Sequence, residues 1–294
     1  LSDEEKRTIA KTAEELLRRQ SEPDSPEALA KLPCLKLSDI NPKAQIIHKE
    51  IMPIAQGQLL LPDMDTNGIA YVHCYFDMNT VPETLLPYAG LLAGILGKIR
   101  TRRRSYEELA RLINLHTGGI DGYTETFSIL ESDAAFTPRI VLRGKALEKN
   151  VGRLSDLISE ILLESDVTDR ERIREIVKEM KSRYEMSLIA RGNLVAMNRL
   201  FSYFSPAAQY DDRASGFSFY KFLSSLEKNI EPQFDGILAH LEMTMQSIVR
   251  QNNLLVTVTT DANGRDHASR LFSNFTQALP DSVSQQKNMP FTPQ

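Results

Sequence analysis

A chain of 294 residues, 41% hydrophobic and 25% charged, is long enough for one large core or two small ones. Its formal net charge of −4 argues against a general nucleic-acid binder, which concentrates positive charge. No apolar run reaches the roughly 20 residues of a membrane helix, and two cysteines without a C-x-x-C pair, Cys34 and Cys74, indicate neither a disulfide framework nor a Cys-rich metal site.

Residue 1 is Leu rather than Met and no apolar leader follows, so the sequence reads as an excised piece with no visible signal peptide. Residues 2–20 are expected as a helix, with a Ser2-x-x-Glu5 capping box and Ile9, Ala13, Leu16 and Leu17 on one side, stopping before Pro23. Ser21 to Pro33 is turn-rich, with one short helical piece around Glu27 to Lys31. Strand character appears at Gln45-Ile46-Ile47 and Gln58-Leu59-Leu60. Asn67-Gly68 then opens a strand in which Ala70, Val72, Cys74, Phe76 and Met78 alternate with Tyr71, His73, Tyr75 and Asp77, a half-buried pattern. Cys34 and Cys74 are both expected as buried apolar side chains.

A helix starts at Val81-Pro82-Glu83 and runs through Leu85, Leu86, Leu91, Leu92, Ile95 and Leu96. A second capping box, Ser105-Tyr106-Glu107-Glu108, opens a helix ending at Thr117-Gly118-Gly119. Gly122 to Leu130 and Ala134 to Arg143 are expected strands, with Glu131-Ser132-Asp133 as the turn. Helical stripes follow at Leu147 to Ile161, Ile173 to Tyr184, Phe219 to Leu226 and Ile230 to Ile248, then a strand at Leu254 to Val258 and a helix from about Arg265 to Leu279. Helices on a mainly antiparallel sheet make an α+β two-layer sandwich.

Candidate sites are sparse. His48, His73, His116, His240 and His267 include no i, i+4 pair and are read as structural or solvated. Thr117-Gly118-Gly119-Ile120-Asp121-Gly122 follows a helix and lacks the Lys-Ser/Thr of a phosphate loop, so a helix C-cap explains it. The basic run Arg100 to Arg104 reads as a solvated cluster, and the aromatics from Phe201 to Phe222 mostly as core, with a peptide-binding wall as the alternative. Ser215-Gly216 has no strand leading into it and is not a nucleophile elbow.

The order from Asn67 to Thr126, an alternating strand, an apolar helix, a capped helix and a Gly-rich turn, resembles the peptidase domain of the pitrilysin/insulinase superfamily. In these zinc proteases the motif H-x-x-E-H lies on the helix after that strand. Here the matching positions read Gly90-Leu91-Leu92-Ala93-Gly94: both His ligands are Gly and the general base is Ala. Glu171, Glu175 and Glu179 fall in the region of the family's third ligand, but one carboxylate does not hold zinc. The resemblance therefore implies a degenerate motif at Gly90, Ala93 and Gly94, no catalytic, cofactor-binding or metal residue in this chain, and no activity of the chain alone.

The Leu1 to Lys6 helix start, Leu32-Pro33-Cys34-Leu35 and Leu37-Ser38-Asp39-Ile40 are similar to the presequence-protease (falcilysin-like) branch, in which one polypeptide carries four related domains and the third has lost its zinc motif. The resemblance implies a helical linker over residues 1–39, an inactive peptidase-like domain over 40–280, and 281–294, including Asn288-Met289-Pro290-Phe291, as a linker toward a following domain. It further implies zinc in an N-terminal catalytic half, that half and a C-terminal domain as covalent partners, peptide substrates in an enclosed chamber, and a cytoplasmic site if bacterial or an organelle matrix if eukaryotic. A free-standing inactive partner subunit of a peptidase complex is the alternative.

Overall fold

The computed structural model describes residues 1–43, 46–129 and 135–281, and the chain divides into two contact units, Leu1–Ile46 and Ile47 onward. The first unit holds α1 (Asp3–Ser21) and the short α2 (Pro26–Leu29). α1 begins where its capping box dictates: Ser2 Oγ accepts from the Glu5 N–H at 3.3 Å, and the Glu5 carboxylate accepts from the Ser2 N–H at 2.7 Å. Neither helix buries a residue. Cys34 is exposed rather than buried, because Leu32, Leu35 and Leu37 around it are themselves exposed and form no core.

The second unit is built on one sheet of β1 (Lys49–Ile54), β2 (Gly57–Pro62), β3 (Ile69–Asp77), β4 (Ile120–Ser128), β5 (Phe136–Leu147) and β6 (Leu254–Thr259). Their order is β1-β2-β6-β3-β5-β4, and β2–β6 is the parallel pair in an otherwise antiparallel ladder. The strand expected at Gln45-Ile46-Ile47 starts instead at Lys49, with Gln45 outside the described residues. The turn expected at Glu131-Ser132-Asp133 and the tail from Asn288 also lie outside them.

Eight helices of this unit are described: α3 (Leu86–Ile95), α4 (Tyr106–His116), α5 (Val151–Glu164), α6 (Arg170–Ala190), α7 (Gly192–Phe201), α8 (Pro206–Ala214), α9 (Phe217–Ile248) and α10 (Ala262–Gln277). α3, α5, α8 and α10 pack on the sheet, with α4, α6, α7 and α9 packed against those helices, and Ala70, Val72, Cys74 and Phe76 of β3 are all 1% exposed or less, so the fold is the α+β sandwich of helices on a mainly antiparallel sheet. The stripes ending at Leu226 and beginning at Ile230 belong to one helix that passes through Pro232. Proline removes one backbone bond there; the buried row Leu223, Leu226, Ile230, Phe234, Ile237 and Leu241 holds the two halves in line.

The chain from Val81 enters α3 through a 3-10 turn, Glu83–Leu85, rather than directly. Pro87 sits in the first turn of α3, where a missing N–H costs nothing and the fixed φ suits a helix start. Among the described residues no helix is long and apolar enough to cross a membrane.

Candidate functional site

α3 carries Gly90, Ala93 and Gly94, and it is buried on every side: eight of its ten residues, Leu86 and Ala89 through Ile95, are buried. A helix apolar all round belongs in the interior rather than at a wet catalytic surface. α9, α8 and α6 pack on one side of it and β4 and β5 on the other.

The two glycines are where neighbours come closest. A β-carbon at Gly90 would stand 1.9 Å from the Ala214 carbonyl oxygen and 3.0 Å from Phe219 Cε2, so the end of α8 lies directly on the helix backbone. A β-carbon at Gly94 would stand 2.4 Å from Met180 Cε and 2.6 Å from its Sδ, so a flexible thioether from α6 fills the space beside that glycine. Ala93 is 3% exposed, and its carbonyl oxygen is held against Gly122 of β4. A backbone carbonyl, a thioether and a methyl group thus occupy the motif positions.

That donor set does not fit zinc, which needs three or four N, O or S ligands at about 2.0–2.3 Å and, in a catalytic site, room for water. Glu171, Glu175 and Glu179 are exposed on α6, the last two paired with Arg172 and Arg183, while Met180 is the α6 residue that meets the motif helix. Among the described residues no group of three His, Cys, Asp or Glu stands close enough together to hold a metal ion.

The histidines are not brought together. His48 and His267 are exposed, and His240 packs on the Tyr88 ring with centroids 4.6 Å apart, its Nδ1 buried without a hydrogen-bond partner among the described residues. His116 lies at the end of α4 beside a polar cavity of about 420 Å³ shared with Arg103, Arg153 and Glu160. His73 lies on β3 across from Arg143; burial first and the Arg143 charge second hold its pKa below the ordinary 6.5.

The basic run is solvent-facing, with Arg100, Arg103 and Arg104 47%, 63% and 34% exposed, and it is also ion-paired. Arg100 pairs with Asp166 at 2.9 Å, Arg103 with Glu164, and Arg104 with Glu160, which is 3% exposed and also accepts from Thr101 Oγ1 at 2.6 Å. Carboxylates on α5 and just after it were the missing partners, and 56 to 66 residues of chain separate them from the arginines in sequence. The aromatics from Phe201 to Phe222 divide: Tyr210 and Phe219 are core, whereas Phe201, Tyr203 and Phe204 are 51%, 55% and 74% exposed, against the expectation of core for most of them.

The sheet's second face is wetter than the first and carries the polar half of each strand's alternation. Register sets His73, Arg143 and Asp121 in one row and Tyr75, Val141 and Tyr123 in the next, with Asp77, Arg139 and Glu125 beyond them. Arg143 pairs with Asp121 at 2.7 Å and lies over the Tyr123 ring at 5.1 Å; Asp77 pairs with Arg139 at 3.4 Å. Tyr71, at 36% exposed, and Phe127, at 40%, extend the aromatic surface. The outward side of β3 was legible from its alternation; its joining to β4 and β5 was not, since pairing register is a tertiary fact.

The family model described as peptidase M-16C associated matches residues 1–226. The chain is 33% identical over 283 residues to protein HypA of Clostridium perfringens, covering 96% of this chain and 28% of that protein. It is 29% identical over 284 residues to presequence protease 1, chloroplastic/mitochondrial, of Arabidopsis thaliana, covering 97% of this chain and 26% of that protein. The chain thus spans little more than a quarter of the length of these relatives. In fold it is similar to a protease from Helicobacter pylori, with a TM-score of 0.54 and 14% identity over 84% of this chain and 54% of that one. With the family model covering most of its length, this chain belongs to the M-16C peptidase-associated family, as a presequence-protease-like domain of the pitrilysin/insulinase superfamily.

Proposed function

We propose that this chain is the non-catalytic peptidase-like domain of a longer zinc metalloendopeptidase of the presequence-protease type, which degrades unfolded peptides, and that it forms part of the wall of an enclosed substrate chamber. The observation that carries this reading is the packing of the motif helix: Gly90 lies under the Ala214 carbonyl and Gly94 beside Met180, so the fold keeps the peptidase frame and fills the space its chemistry needs. The second sheet face supplies the wall, offering Tyr71, Tyr75, Tyr123 and Phe127 for contact with apolar side chains of a peptide, and Arg143 and Asp121 for its polar groups. Aromatic groups suit that task because they bury a large apolar area while a hydroxyl keeps one end wet. Zinc, its ligands and the general base belong, in this reading, to an N-terminal half of the same polypeptide, with a further domain following this one.

Two measurements test it. The native polypeptide bearing this sequence should have a mass several times the 33.2 kDa of the chain, as its coverage of 28% of a relative implies. The 294-residue chain alone should retain no stoichiometric zinc after dialysis and cleave no unfolded peptide. One equivalent of tightly held metal on the isolated chain would refute the reading. A native mass near 33.2 kDa would replace it with a free-standing inactive subunit.

A further inference from the structure

The outward side of α7 is apolar where a surface helix is ordinarily polar. Leu194, Met197, Phe201 and Phe204 recur at intervals of three, four and three residues, with Leu200 beside them, and all five are between 43% and 74% exposed. Phe204 lies past the end of α7, but the winding carries on to it: the Tyr203 N–H donates to the Leu200 carbonyl at 3.1 Å, and the Phe204 N–H to the Phe201 carbonyl at 3.0 Å. Residues three and four apart on a helix share a face, so these side chains form one row. The only charged residue from Gly192 to Ser205 is Arg199, and its guanidinium is spent on Asp212, which is 5% exposed. No charge interrupts the row.

α7 has ten residues and buries none of them, and isolated helices shorter than about 12–15 residues are marginal in water. Contacts with α6 and α8 and the Arg199–Asp212 pair hold its inner side. Beside the row lies a cavity of about 310 Å³ with Val195, Phe201, Tyr184 and Phe217 among its walls, and a recess of this kind takes an anchoring side chain of a partner. Transient encounters are steered by charge, whereas permanent interfaces are the more apolar class. A short helix with a charge-free apolar outer row is therefore suited to a cover that is always present rather than one that comes and goes.

The length of the relatives says what such a cover is made of. The chain spans 28% of the Clostridium perfringens protein and 26% of the Arabidopsis thaliana one, so the larger part of a polypeptide of their length lies outside it. A domain tethered in the same polypeptide meets its neighbour at a high effective concentration, which keeps a modest apolar contact closed without charge steering. We propose that the α7 row is the docking surface for an apolar surface of another domain of the same polypeptide, an inference that rests on the reading of this chain as one part of a longer peptidase. A second copy and a peptide substrate are the competing occupants, and the experiment separates them.

The native full-length polypeptide would be made with the photoreactive analogue p-benzoylphenylalanine in place of Phe204, an exposed ring whose enlargement disturbs no core. It would be irradiated without substrate and the product mapped by mass spectrometry. The crosslink should form at the mass of a single polypeptide and join position 204 to a segment outside residues 1–294. Leu200→Glu in the same polypeptide should lower the crosslink yield severalfold, because it sets a charge in the row, and Leu200→Met should leave it unchanged. A product of doubled mass would assign the row to a second copy, a crosslink formed only after an unfolded peptide is added would assign it to substrate, and a crosslink within residues 1–294 would assign it to this chain's own fold. Each of these, no crosslink at all, or an unchanged yield in Leu200→Glu would overturn the inference and leave the longer peptidase standing. A native mass near 33.2 kDa would overturn both.

Discussion

If the motif helix is closed by its neighbours, the smallest enlargement of its two glycines should give two different answers. Gly90→Ala places a methyl group 1.9 Å from the Ala214 carbonyl oxygen. That carbonyl is not free to retreat: the turn after it is tied by Ser215 N–H to the Asp211 carbonyl at 2.8 Å, and by the Asp212 carboxylate, which accepts from the Phe217 N–H at 3.0 Å. Overpacking ordinarily costs about 1–3 kcal/mol and more where backbone is displaced, so about 3–4 kcal/mol is reasonable here, less about 1 kcal/mol gained from replacing Gly by Ala within a helix. The net expectation is a loss of about 2–3 kcal/mol, or about 4–12 °C in Tm for a unit of this size. Gly94→Ala meets only the end of the Met180 side chain, which can rotate away; a repacking cost of about 1 kcal/mol against a similar helix gain leaves a change near zero. Urea unfolding followed by far-UV circular dichroism, with thermal melts, measures both. A Gly90→Ala variant as stable as wild type, or a Gly94→Ala variant equally damaged, would refute the packing account. The restored motif Gly90→His/Ala93→Glu/Gly94→His should then fold poorly and gain no zinc.

Three further outcomes follow from the same structure. Arg104→Met should cost about 2–4 kcal/mol, toward the lower end because Arg104 is 34% exposed, by leaving the buried Glu160 carboxylate with Thr101 as its remaining side-chain donor; a loss below about 0.5 kcal/mol in urea unfolding would mean the pair is only a surface contact. His73 is held neutral when folded, so the unfolded chain takes up more protons and stability should fall as pH drops from about 6.5 toward the lower folded value, levelling off below it; His73→Gln should remove that slope in melts taken between pH 7 and pH 5, and an unchanged slope would assign the effect elsewhere. Cys74 is fully buried with its thiol pushed up to about 12, whereas Cys34 is exposed; iodoacetamide should therefore label one thiol in the native chain and a second after urea, and two native labels by mass spectrometry would contradict the buried strand.

Much of this molecule is written locally. The capping boxes at Ser2 and Ser105 start helices through hydrogen bonds that span only three residues, and both form as their spacing requires. The alternation in β3 fixes which side chains face the helices, because successive residues in a strand point to opposite faces. That Gly90, Ala93 and Gly94 carry no metal-donor side chain is likewise plain from the sequence. α7 and α8 were not legible: between Gly192 and Ala214 the apolar residues are divided between buried and exposed sides, and no clean core-facing stripe survives.

What the chain alone could not decide is what fills the space left by those residues and where charges meet. Met180 beside Gly94 and the Ala214 carbonyl over Gly90 come from helices more than 80 residues away in sequence, and a stripe or a cap says nothing about which distant backbone will lie on it. The ion pairs of Arg100, Arg103 and Arg104 are not visible in the sequence because their carboxylate partners sit on α5 and just after it. Local sequence determines periodicity, caps and the chemistry a side chain owns. Proximity between distant residues, and with it burial, pairing and the closing of a site, is decided only when the helices dock on the sheet.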